Sequence, residues 1–158
     1  FLENNDCIDI LGAWAIEFDE DIYDSTNFVK KMPKNYQDII RLYHYRNPLI
    51  HPTVMFKRDV FDVIGYYNEN LTSDQDLELW GRSIKFKIGI TNIQEALLYH
   101  NIRGIHKRRT KLTSIRNQIL ARRVVHTNSI KLNILKFSAI CFRFMPKGII
   151  KYGYKKLR

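Results

Sequence analysis

The sequence predicts a mixed α/β domain followed by a helical, strongly basic tail, and three observations carry that expectation. Short apolar runs with the length of buried strands alternate with segments whose apolar residues recur at helical spacing. The 158 residues are 45% hydrophobic and 13% aromatic, a composition that supports one packed core. The charge is divided along the chain. All 16 acidic residues lie at or before Glu95, whereas residues 96–158 hold 16 of the 26 Lys and Arg and no acid.

Residues 7–18 are rich in Ile, Trp and Phe, and their middle reads as a buried strand. The acidic run Asp19-Glu20-Asp21 follows as a solvated turn, and then a polar loop that contains Pro33. Residues 35–45 place Ile39, Leu42 and Tyr43 at helical spacing, with Asn35 as the cap and Pro48 just past the end. Thr53-Val54-Met55-Phe56 has the length of a buried strand. Residues 58–64 make a brief helix closed by Gly65, and residues 74–84 a second one with Leu77, Trp80 and Ile84 on one face. Two further strands are expected at 88–93 and 96–99. Beyond them Leu112, Ile115, Ile119 and Leu120 form one helical stripe, and Leu132, Leu135, Ala139 and Ile140 another.

Several classes are disfavoured at this level. Cys7 and Cys141 are far apart, with no CxxC or His-rich spacing around them, so a structural zinc site is not expected. Reduced thiols in a cytoplasmic protein are the simple reading. No apolar run is long enough to span a bilayer, and no signal peptide opens the chain. The first residue is Phe1 rather than Met, and residues 1–5 read as the end of a helix, which predicts a chain cut mid-protein.

The middle of the chain carries a resemblance. Asn47-Pro48-Leu49-Ile50-His51-Pro52-Thr53-Val54-Met55-Phe56 leads into a short helix. It is followed by the turn Ile64-Gly65-Tyr66-Tyr67-Asn68-Glu69, then Asp76-Leu77-Glu78-Leu79-Trp80, then the strand Glu95-Ala96-Leu97-Leu98-Tyr99. In order and spacing, residues 1–105 resemble family 2 glycosyltransferases. The resemblance implies the C-terminal part of a GT-A (nucleotide-diphospho-sugar transferase-like) mixed sheet with flanking helices. Residues 1–105 would be the acceptor side of that domain, and residues 106–158 a basic, amphipathic helical extension.

By the same resemblance Asp76 is the general base that takes a proton from an acceptor hydroxyl during inverting transfer. A positioned carboxylate does this chemistry. The family's preceding glutamate is Gln75 here, which removes one negative charge. The competing reading of Asp76 is structural: Ser73-Asp74-Gln75-Asp76 fits a capping box at a helix N-terminus. His51 is a cleft candidate or a hydrogen-bonded structural histidine. Relatives often carry an arginine and a histidine shortly after the position of Tyr99-His100, where this chain has Asn101 and Arg103, and His106 is the candidate substitute as a diphosphate or metal partner. Trp80 is a core residue or an acceptor-stacking platform. Asp19–Asp21 and Asp74–Asp76 have the Asp-x-Asp form of the family's metal motif, but neither stands at its place. No metal ligand is therefore assigned within the chain. Magnesium or manganese is expected in the full-length enzyme, bound mainly by residues outside it.

The implied function is transfer of a sugar from a nucleotide-sugar donor to a hydroxyl acceptor, such as a lipid-linked one, in cell-surface polysaccharide or lipid-linked glycan synthesis. These residues alone are expected to be inactive, because the donor-binding half is absent, and to self-associate through an exposed sheet edge. The tail has three readings, in order: docking on an anionic membrane surface, structural packing, and nucleic-acid binding. No specific nucleic-acid motif supports the last. The expected location is cytoplasmic, peripheral at the inner face of the plasma membrane. The alternative from another class is a non-enzymatic basic module that binds an anionic membrane or another polyanion.

Overall fold

A computed structural model describes residues 1–24, 27–104, 112–145, 148–149 and 153. The architecture is mixed α/β: a four-stranded sheet with helices packed against it. Its centre is β1 (Ile10–Phe18), whose first four residues are all buried. A strand covered on both faces needs no polar alternation, and its near-continuous apolar run follows from that.

β4 (Ile90–Asn101) pairs in parallel along the whole of β1, from Ile10 opposite Ile90 to Phe18 opposite Asn101. The opposite edge of β1 is shared by two short antiparallel strands. β3 (Met55–Phe56) meets Ile10 and Leu11, and β2 (Phe28–Lys30) meets Ala15 to Glu17. Among the described residues no strand pairs with the outer edge of β4.

Parallel β1 and β4 require a crossover, and three helices lie within it: α1 (Tyr36–Tyr43), α2 (Val60–Ile64) and α3 (Gln75–Lys85). The main apolar cluster joins Ile10 and Ile90 of the sheet to Ile39 and Tyr43 of α1 and to Leu77 and Trp80 of α3. α4 (Leu112–Arg122) packs on α3 and adds Ala121 to that same cluster. α5 (Ile130–Cys141) begins at Ser129, whose hydroxyl accepts from the Leu132 amide, and carries no fully buried residue.

Four expectations are corrected. The two strands expected at 88–93 and 96–99 are one strand, β4. Its register on β1 slips around Trp14, and the polar pair Gln94-Glu95 falls in the slip, so a break in apolar pattern is not a break in pairing. The polar loop contains β2, which is too short for any alternation to show. Thr53 belongs to a 3-10 turn (His51–Thr53), so β3 is only two residues long.

The fourth correction concerns α4. Of its expected stripe only Ile115 is fully buried, whereas Leu112 is 74% exposed. The buried face is Ser114, Ile115, Asn117, Gln118, Ala121 and Arg122. Asn117 and Arg122 go inward because partners await them, whereas Gln118 Oε1 is buried with none among the described residues. Arg122 donates to the Tyr43 carbonyl, and the Tyr43 hydroxyl donates to the Ala121 carbonyl at 2.5 Å. A buried polar group is tolerated when it is hydrogen-bonded.

Candidate functional site

The site begins with Asn47, which stands before Pro48 just beyond α1. A residue preceding proline is pushed to extended backbone, so the chain leaves the helix here. The Asn47 side chain is fixed at one end by its own segment: Oδ1 accepts from the Leu49 amide at 3.3 Å. Its other end reaches away, and Nδ2 donates to Oδ2 of Asp76 at 2.6 Å. Leu49 and Ile50 are buried and anchor the segment. Asn92 of β4 donates to the Pro48 carbonyl at 3.3 Å.

Asp76 is the second residue of α3, where the free backbone amides of the first turn favour negative charge. It is half-buried. Oδ2 is engaged by Asn47, while Oδ1 has no hydrogen-bond partner among the described residues. The capping box expected over Ser73–Asp76 is not formed. Asp74 is the N-cap, in left-handed backbone with φ of 57°, and makes no side-chain cap bond. Asp76 is therefore one position short of the third helical residue that a capping box requires. Asp74 turns instead to the C-terminal segment. Its Oδ2 accepts from Ser73 at 3.1 Å and from Ser114 of α4 at 3.2 Å, and its Oδ1 lies 3.6 Å from Arg143. The two carboxylates of Asp74-Gln75-Asp76 thus have separate environments.

His51 is exposed, and its Nε2 lies 3.0 Å from the Tyr67 hydroxyl. The two rings meet edge to face at 5.7 Å. Burial, and then the negative charge of Asp76, push the Tyr67 phenol above its ordinary pKa, so it stays a neutral donor beside the carboxylate. Trp80, one turn beyond Asp76 on α3, lies beneath. It is fully buried, stacks on Phe56 at 5.7 Å, and its ring centre is 6.3 Å from that of His51. It is a core residue flooring the His51 side of the group. Its Nε1 is buried without a partner among the described residues.

Tyr67 is held in place from behind. The Arg82 guanidinium pairs with Glu78 through its Nε at 3.0 and 3.1 Å and its Nη2 at 2.9 Å. It also donates to the carbonyls of Ile64 and Tyr66, the latter at 2.7 Å. Gly65 between them has φ of 72°, a conformation that L side chains resist, so glycine is needed at this turn.

The structure thus brings together Asp76, His51 and Trp80 of the predicted candidates and adds Asn47 and Tyr67. Gln75 is turned away from them, donating to the Leu71 carbonyl at 2.5 Å. His106 lies outside the described residues. Asn47 and Tyr67 were legible only as members of the quoted motifs, since nothing in their own residue type announces a partner 29 or 16 positions away. Among the described residues no three His, Cys, Asp or Glu side chains form a metal-ion donor set.

Comparison with known proteins gives two relatives. The chain is 31% identical over 105 residues to an uncharacterized glycosyltransferase of Methanocaldococcus jannaschii, a match covering 65% of this chain and 34% of that protein. It is 25% identical over 166 aligned positions to an amylovoran biosynthesis glycosyltransferase of Erwinia amylovora, covering 100% of this chain and 60% of that protein. The chain therefore spans between about a third and three fifths of the length of these curated relatives. No family model matches, and no solved structure matches. Both relatives are named glycosyltransferases.

Proposed function

We propose that these residues belong to an inverting family 2 glycosyltransferase of the GT-A fold, which moves a sugar from a nucleotide donor to a hydroxyl acceptor. In this reading residues 1–105 form the acceptor side and residues 106–158 an extension to it. The observation that carries the proposal is the pairing of Asn47 with one oxygen of Asp76 at 2.6 Å. It fixes the carboxylate and leaves its second oxygen for a substrate proton. As an acceptor hydroxyl attacks the anomeric carbon, that oxygen takes the proton, and the sugar inverts because attack comes from the face opposite the leaving diphosphate. Tyr67, neutral and close by, holds the acceptor or the carboxylate by hydrogen bonding, with His51 fixing the phenol. A divalent ion, magnesium or manganese, is assigned mainly to residues outside these 158. The proposed product class is a cell-surface polysaccharide or a lipid-linked glycan, and one relative is named for amylovoran biosynthesis.

The test is turnover by the full-length protein against a panel of nucleotide sugars, with Asp76→Asn alongside. Loss of a positioned base predicts a fall in kcat of roughly 10²–10⁴-fold, with donor binding kept. Asparagine can still accept from Asn47, so the fold should survive. Unchanged turnover would remove Asp76 from the mechanism, and a product that retains the donor's anomeric configuration would remove inversion. The competing module reading, carried by the acid-free tail, predicts no sugar transfer by either protein.

A further inference from the structure

α5 is apolar on both sides, yet the body covers only one. Leu132, Leu135, Ala139 and Ile140 face the body and are half-buried. Ile130, Ile134 and Phe137, at helical spacing on the other side, are 77, 60 and 68% exposed. Phe144, Met145 and Ile149, further along the chain, are also exposed. The only charged residue exposed on α5 is Lys131. Asn133 and Ser138 are exposed on the helix as well, yet three large apolar side chains in water on one side call for a covering partner.

The charge composition of this part of the chain selects that partner. Residues 96–158 contain 16 Lys and Arg and no acid. A second copy of the chain would set one such block against another and be repelled. A nucleic acid would use the cations and leave Ile130, Ile134 and Phe137 in water. An anionic lipid surface takes both at once, apolar side chains among the acyl chains and cations among the headgroups. Twelve residues of helix reach only about 18 Å, short of the ~30 Å hydrocarbon core, so the helix lies in the surface and does not cross it.

We infer that the outer face of α5, formed by Ile130, Ile134 and Phe137, is a docking surface for an anionic lipid bilayer. Lys136 holds the inner face to the body, its Nζ donating to the carbonyls of Arg122 and Val125 at 3.2 and 3.1 Å. Arg143, just past the helix, sits on Asp74 at the N-cap of α3. The docking segment is thereby tied to the helix that carries Asp76. The inference does not depend on the transferase reading.

Flotation of the full chain with vesicles tests it. Phosphatidylcholine vesicles containing phosphatidylglycerol should carry the protein, pure phosphatidylcholine vesicles should not, and salt should weaken the binding. The triple substitution Ile130→Ser, Ile134→Ser, Phe137→Ser should reduce binding by at least about tenfold. Val63→Ser, which removes an exposed apolar side chain elsewhere, should leave it unchanged. Since the three side chains are exposed, both variants should fold, as checked by circular dichroism. Full binding by the triple variant would overturn the inference in favour of charge alone. A concentration-dependent dimer that the triple substitution abolishes, with no flotation, would overturn it in favour of a second copy.

Discussion

Asn47 divides its amide between its own turn and Asp76, and that division matters more to the site than its burial. Replacing it with alanine leaves the carboxylate free to turn and removes one charge-assisted hydrogen bond, of about 1.5–3 kcal/mol. Under the proposed function, Asn47→Ala should lower kcat of the full-length protein roughly tenfold to a hundredfold, with donor affinity preserved. Steady-state kinetics will check this. His44, at the end of the same helix, is 1% exposed. Burial, and then the positive charges of Lys136 and Arg122, push its pKa from 6.5 down to about 4. Between those values the unfolded chain binds a proton that the folded chain refuses. The stability contributed is therefore complete above pH 6.5 and is lost as pH falls toward 4. The loss amounts to about 3 kcal/mol, and urea unfolding at several pH values should show it. His44→Phe should remove that part of the pH dependence.

At the scale of elements, α3 connects the site to everything behind it. It packs between α1 and α4, and Gly81 faces Tyr43 of α1 and Val124 just beyond α4. A Cβ there would collide with the Tyr43 hydroxyl and lie 3.0 Å from Cβ of Val124. Alanine is favoured over glycine in a helix by about 1 kcal/mol, yet overpacking costs about 1–3 kcal/mol. Because Tyr43 is itself hydrogen-bonded to Ala121, it cannot simply move aside. Gly81→Ala should therefore lower the thermal midpoint rather than raise it, a sign that calorimetry can read. Arg82 makes a second contrast. Lysine keeps the charge but not the fork that holds Glu78 and two carbonyls together. Arg82→Lys should loosen the Gly65–Tyr67 turn, seen as faster hydrogen exchange at Tyr66 and Tyr67.

Across the whole molecule, the two C-terminal helices differ in what they contribute. α4 places Ala121 and Arg122 in the interior, whereas α5 buries nothing completely. Ending the chain after His126 should leave a cooperative unfolding transition weakened by roughly 1–3 kcal/mol, from the lost Lys136 and Arg143 contacts. Ending it after Ile102 should expose the α4-facing side of α3 and give a protein that aggregates. Denaturation of the two truncations shows whether structural packing resides in α4 rather than in α5.

Much of the fold was legible because periodicity and charge are local properties. The run at Ile10, the helical spacing of Ile39 and Tyr43, and Leu77 and Trp80 along α3 each declare an element without reference to the rest. Asp76 was legible as a candidate through the motif around it. The acid-free stretch after Glu95 is likewise a fact of the sequence alone. What only the tertiary structure decided involves partners distant along the chain. The sequence could not say that Gln94-Glu95 falls in a slip within one strand, because its pairing with β1 spans some eighty residues. Nor could it say that α4 turns Asn117 and Arg122 inward and Leu112 outward, because that depends on Thr72, Ser73 and the Tyr43 carbonyl waiting there. The same holds at the site. The sequence does not say which oxygen of Asp76 is engaged, because the Asn47 amide that holds Oδ2 comes from 29 residues away.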